Sequence, residues 1–198
     1  MSWIQTFTGK KFFPLAPEAK DICIEDIAHA LSLTCRFGGH CKQFYSVAEH
    51  SVRASYFVPR KFALYALLHD AGEAYLPDVV HPIKGHMRVQ FDIHPATLKS
   101  FRFVELQLLA EIHKALKVPP CLEQTEMLRC VDDADLCLLA TEARDLMGPP
   151  PEPWSFPVDV QRLEERIWPM LPEHAEECFL SCYKLLTAPS PLKERTCL

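Results

Sequence analysis

Apolar residues recur along most of this chain at three- and four-residue intervals, the repeat of a helix face, and a strand-like pattern is confined to its start. Trp3 to Phe13 carries aromatic and β-branched residues on both sides of Gly9, which predicts a small hairpin. From Pro17 onward the pattern is helical. Ile24, Ile27, Ala28 and Leu31 form one stripe of a helix expected over 22–33, with acidic residues near its start where they favour the dipole. Phe37-Gly38-Gly39-His40 then makes a turn. Ser46, with Glu49 three residues on, is a capping-box signature for a helix over 46–57. Pro59 opens the next helix, and 62–75 is apolar enough to be helical and buried on most sides.

Pro77 and Pro82 bracket a loop over 78–81, and amphipathic helices are expected over 101–116 and 122–147. Gly148-Pro149-Pro150-Pro151-Glu152-Pro153 predicts a stiff, extended connector. Two further helices are expected over 160–170 and 172–186, and 188–198 has the composition of a loose tail. The pattern therefore predicts an all-α fold in one domain over 1–187. With 198 residues, 48% of them hydrophobic, the chain is long enough for one sizeable core and short for two.

Charge and cysteine content narrow the setting. A formal charge of −5 argues against duplex nucleic acid as the main partner, because phosphate backbones favour a concentrated basic surface. No apolar stretch approaches the ~20 residues that span a bilayer, which argues against a membrane partner. Nine cysteines, scattered from Cys23 to Cys197 in a chain without a signal-peptide pattern, are expected as reduced thiols in a cytoplasm.

The chemistry concentrates at Leu67-Leu68-His69-Asp70-Ala71-Gly72-Glu73. A His-Asp dipeptide alone is common. Here it follows an apolar run that would hold its donors in place, and His50 lies on the preceding helix. Two imidazoles and a carboxylate suit a divalent transition metal with positions left open for water or substrate. A fourth ligand is expected from Val131-Asp132-Asp133-Ala134-Asp135, where like charges crowd an otherwise apolar helix. Periodicity does not separate the three acids.

With these residues the chain resembles the HD-domain metal-dependent phosphohydrolases over roughly 25–147. Ser46-Val47-Ala48-Glu49-His50-Ser51 is similar to that family's first-ligand motif. His69 to Glu73 followed by Asp78, Pro82 and Lys84 is similar to the short HD 5′-deoxynucleotidases. Arg36-Phe37-Gly38-Gly39-His40 and Phe44-Tyr45-Ser46 look closer to phage deoxyadenosine triphosphate (dATP) triphosphohydrolases.

The resemblance implies a single HD-domain helical bundle holding one divalent ion (Zn, Co, Mn or Mg) on His50, His69, Asp70 and Asp135. It makes Glu73 the acid/base residue, with Asp78 as its neighbouring carboxylate. Arg36 and Lys84 are candidates to hold phosphate oxygens, His40 to donate to phosphate or close the pocket, and Phe37 or Tyr45 to stack on a base. The expected activity is hydrolysis of dATP to deoxyadenosine and triphosphate. A 5′-deoxynucleotidase acting on monophosphates is the runner-up, and a non-catalytic nucleotide-binding protein the alternative of another class. The resemblance also implies a homo-oligomer, dimer or hexamer. His81, His86, His94 and His113 do not stand in the contexts that two-metal relatives of the family require.

Overall fold

The computed structural model describes residues 2–91, 98–157 and 160–188. Four short strands and seven helices occur among them: β1 (Ile4–Gln5), β2 (Lys11–Phe12), α1 (Ile24–Leu33), α2 (Val47–Tyr56), α3 (Ala63–Leu68), α4 (His81–Lys84), β3 (Arg88–Gln90), β4 (Leu98–Ser100), α5 (Phe101–Ala115), α6 (Gln124–Leu146) and α7 (Pro172–Thr187). The fold is all-α with a small antiparallel hairpin at its start, as the sequence pattern predicts, and with a second two-stranded sheet that the pattern does not predict.

β1 and β2 pair Ile4 with Phe12 across a turn in which Gly9 takes φ +83°, a left-handed value that costs glycine little. The hairpin is fastened to α1 by Asp26. The Thr8 amide and hydroxyl both donate to its carboxylate, at 2.7 and 3.0 Å. Phe12 is fully buried and stacks on Tyr75, ring centroids 4.2 Å apart. Ile27, Ala28 and Leu31 carry the buried stripe of α1, as expected.

α2 packs against α1, α3, α6 and α7, and so runs through the middle of the molecule. One apolar cluster includes Leu31, Val52, Leu68, Leu108 and Phe179 from five helices. A second joins Ala54, Ala66, Val131 and Leu138 of α2, α3 and α6. Each fully buried leucine contributes about 1.5–3 kcal/mol. The Ser46 hydroxyl accepts from the Glu49 amide at 3.0 Å, so half of the expected capping box forms. Glu49 does not reach back to Ser46. Its carboxylate accepts from Arg53 and from the Met170 amide, 2.7 Å away.

Three expectations need correction. The first is the continuous helix over 62–75, which ends at Leu68 and resumes as a 3-10 turn, Ala71–Ala74. Consecutive residues of an α-helix point about 100° apart. Breaking the helix at Asp70 (φ −101°, ψ 13°) lets two neighbours face one point, and the His69 Nε2 atom lies 3.3 Å from Asp70 Oδ2.

The second is the helix over 160–170, which is an irregular strap. Pro169 disfavours helical geometry at Trp168, and side chains of α2 and α6 capture the strap's amides. Leu163 N–H donates to Thr141 Oγ1 and Ile167 N–H to Asp145 Oδ2, both at 2.9 Å. Arg144 donates in turn to the Leu163 and Glu165 carbonyls. Thr141→Val keeps the shape but strands the Leu163 amide, and is expected to lower unfolding stability by about 1–3 kcal/mol. Urea denaturation checks this, and an unchanged midpoint would show that the strap is not held by that bond.

The third is the loop over 78–81, whose last residue already starts the single turn of α4. The antiparallel pairing of β3 with β4 was not expected at all; it sets Arg88 opposite Ser100, and Ser100 then caps α5 by accepting from the Phe103 amide. Of the tail expected over 188–198, all but Ala188 lies outside the described residues. No helix among the described residues is long and apolar enough to cross a membrane.

Candidate metal centre

The break after α3 brings the His-Asp pair against the middle of α2 and α6. His50 Nε2 lies 3.4 Å from His69 Nε2 and 3.0 Å from Asp135 Oδ1. These three donors lie within 4.8 Å of one another and can hold a metal ion. Donors bound about 2.0–2.2 Å from a shared ion stand roughly 3–3.5 Å apart, which matches the shorter of these distances. Asp70 Oδ2 sits beside both imidazoles, 3.3 Å from His69 Nε2 and 4.0 Å from His50 Nε2. Asp133 turns away to an exposed pair with Arg129, and Asp132 is exposed.

Each imidazole is oriented through its other nitrogen. His50 Nδ1 is 2.7 Å from Glu142 Oε1, and His69 Nδ1 is 2.7 Å from the Ala66 carbonyl. Such bonds fix the tautomer and point Nε2 at a metal. Glu142 is wholly buried, and its second oxygen accepts from Arg36 Nε at 3.0 Å. Glu142 is not among the site residues expected from the sequence. The available signal was its position seven residues after Asp135, which puts both on one face of α6.

The charges fit a cation. Asp70, Asp135 and Glu142 surround one guanidinium, Arg36, whose terminal nitrogens lie 3.5 Å from Asp70 and 3.9 Å from Asp135. Arg36 alone does not balance the three carboxylates, and the remaining negative charge is met by protonated imidazoles or by a divalent ion in place of their protons. Burial opposes a charge on His69, but Asp70 and Asp135 outweigh it and hold its pKa up to about 9. Burial would raise Asp135, yet the hydrogen bond from His50 and the positive imidazoles bring it down to about 2. The donors thus favour positive charge at their centre. Glu142→Gln leaves the helix face intact but weakens the grip on His50, and is expected to cost about 10–100-fold in metal affinity. Competition with a fluorescent chelator measures this; wild-type affinity in the variant would deny Glu142 the orienting role.

Beside the donors a cavity of about 720 Å³ opens between α5 and α6, lined by His69, Asp70, Glu73, Lys84, Asp135 and apolar residues such as Leu109. Glu73 follows Asp70 through the 3-10 turn. Its Oε1 is 3.8 Å from Lys84 Nζ, and its Oε2 is buried without a hydrogen-bond partner. Burial, then the negative Asp70 and Asp78, push the Glu73 carboxyl up to about 8 against the pull of Lys84 and Arg36. Burial also raises Asp78. Lys84 makes its shorter contact, 2.6 Å, with Glu105 of α5, which is not among the residues expected from the sequence.

The remaining candidates are less close. Phe37 and His40 do not line the cavity. Phe37 is half-buried, edge-on to Trp154 with centroids 6.2 Å apart, and His40 is exposed. Tyr45 is fully buried in the core with Leu146 and Ile167. Arg36 is bound first to carboxylates, so its guanidinium braces the donors whether or not it also meets phosphate.

Fold and site together define a helical protein with a candidate His/Asp metal centre at the mouth of a cavity. No protein-family model matches the chain. It is 37% identical to the uncharacterized protein YfdR of Escherichia coli over 188 residues, 94% of this chain and 97% of the relative. An uncharacterized protein of Rhodobacter capsulatus is 31% identical over 156 residues, 74% of each chain. The chain belongs to the same family as YfdR.

Proposed function

We propose that this protein is a metal-dependent phosphohydrolase of the HD class that acts on deoxynucleotides, with dATP as the first candidate substrate and deoxyadenosine and triphosphate as its products. The observation that carries the reading is the convergence of His50, His69 and Asp135 on one point, with the raised carboxyl of Glu73 beside it at the cavity wall. Asp70 completes a four-donor set for one divalent ion.

When bound, that ion supplies Lewis acidity and a water of lowered pKa. The chain does the rest. The Glu73 carboxylate, in its ionised form, takes the proton from the water that attacks the α-phosphorus. As the bond from phosphorus to the 5′-oxygen breaks, the same carboxyl returns a proton to the leaving oxygen. Lys84 and the terminal nitrogens of Arg36 offer positive charge to the phosphoryl oxygens. Glu105 keeps Lys84 at the cavity wall.

A 5′-deoxynucleotidase is the second reading, because the same bond is broken in a monophosphate and the two substrates differ in how many anionic groups the pocket must take. Deoxynucleoside mono-, di- and triphosphates, each assayed with Zn, Co, Mn and Mg and resolved by chromatography, separate them. Triphosphate released from dATP supports the first reading. Orthophosphate released from monophosphates alone replaces it with the second, and nucleotide binding without turnover under every metal leaves a binding protein.

A further inference from the structure

We propose that Cys35 and Cys41 form a dithiol that hydrogen peroxide converts to an intramolecular disulfide across the segment carrying Arg36. Their Sγ atoms are 3.5 Å apart, and among the described cysteines this is the pair whose sulfurs meet. A disulfide needs about 2.05 Å, so the sulfurs have roughly 1.5 Å to travel, within the reach of small side-chain rotations.

The backbone holds both ends of the segment in place. The Arg36 amide donates to the Tyr45 carbonyl at 2.9 Å, the Val47 amide to Thr34 at 3.0 Å, and the Lys42 amide to Leu146 at 2.8 Å. The chain between the cysteines doubles back through left-handed geometry at Phe37, Gly38 and Gly39, with φ of 58°, 58° and 80°. These bonds keep the two thiols facing each other. Both cysteines are half-buried, which leaves room for a small oxidant. Cys41 packs against the cluster of Tyr45, Leu146 and Ile167. Burial, then its hydrogen bond with Cys35, holds the Cys41 thiol up to about 11, which disfavours Cys41 as the attacking thiolate.

The chemistry balances in two steps. The Cys35 thiolate attacks one peroxide oxygen, the O–O bond breaks, and the departing hydroxide takes a proton to become water, leaving Cys35 as a sulfenic acid. The Cys41 sulfur then attacks the Cys35 sulfur, the S–O bond breaks, and the hydroxyl leaves with the Cys41 proton as a second water. Two thiols and one peroxide become one disulfide and two waters, and two electrons pass from sulfur to oxygen. The closed ring contains Arg36, Phe37 and His40, so oxidation restrains the residue that braces the metal donors. Reversible pairs of this kind suit a reducing compartment, where stable disulfides are rare.

The test treats the folded full-length protein with hydrogen peroxide and follows it by intact-mass and peptide-mapping spectrometry. The expected product has lost two hydrogen atoms, carries one bond mapped to Cys35 and Cys41 in each chain, and reverts with dithiothreitol. In Cys41→Ser the bond is absent and dimedone traps a sulfenic acid on Cys35. Cys35→Ser leaves Cys41 unmodified at the same dose. The proposal is overturned if wild-type Cys35 stops at the sulfenic acid or proceeds to the sulfinic acid without linkage, or if peroxide modifies other cysteines first. None of these outcomes depends on the phosphohydrolase reading.

Discussion

Glu73→Gln is expected to lower kcat by about 10²–10⁴-fold, the usual contribution of a positioned acid/base group, while metal content stays near that of the wild type. Glutamine keeps the size of the side chain but can neither take up the proton nor carry the negative charge. Elemental analysis and steady-state rates on the same preparation check it. Parallel losses of metal and activity, with turnover per bound ion unchanged, would move Glu73 from proton transfer to metal retention.

The pH dependence follows from the direction of its shift. A carboxyl raised to about 8 is protonated through neutral pH, so the base form accumulates, and kcat/KM rises, as pH increases across that limb. A divalent ion beside it draws the limb lower, and Glu73→Gln removes it. The metal-free protein shows the reverse in its stability. The folded-state pKa lies above the ordinary value of 4.5, so stabilisation from this proton is complete below pH 4.5 and is lost as pH rises through about 8. Melting temperatures of metal-free wild type and Glu73→Gln should therefore diverge as pH rises across that window, the wild type falling relative to the variant.

His69→Ala is expected to lower metal affinity by at least about 100-fold, beyond the effect of removing an outer partner, and to reduce turnover to background. His69 contributes a donor and a positive partner to Asp70 and Asp135, so the metal-free variant should fold but be less stable than the metal-free wild type. In wild type, a metal at a hundredfold excess over its Kd should stabilise by about 2.7 kcal/mol. The variant should show no such gain at the same concentration. Calorimetric titration and thermal melts with and without metal read both effects, and full metal binding by His69→Ala would dismantle the centre described here.

The sequence showed these features unevenly, for reasons that can be traced to particular residues. The α1 stripe, the Ser46 cap and the spans of α5, α6 and α7 were legible because local spacing and local hydrogen bonds determine them. The His-Asp pair was legible as chemistry, yet the helix assigned to it was too long. Its apolar run favours continued helix, and the turn at Asp70 is stabilised by a buried cluster whose other members lie on α2 and α6. The expected helix over 160–170 failed for a related reason. Its apolar spacing was helical, but Thr141, Asp145 and Glu49 offered its amides bonds that a helix would have forgone.

Glu142 and Glu105 show the same limit in the site itself. Nothing within a few residues of either indicates that one is wedged between His50 and Arg36, or that the other holds Lys84. By itself the sequence determined the helical class of the protein, most of its helices and the residue types able to hold a metal, because these depend on neighbours along the chain. The family resemblance already singled out Asp135 among the acids of α6, and only the tertiary structure decided where α3 stops and which charges balance one another. Those choices rest on contacts between helices, where the cost of burying a charge depends on what the fold places beside it.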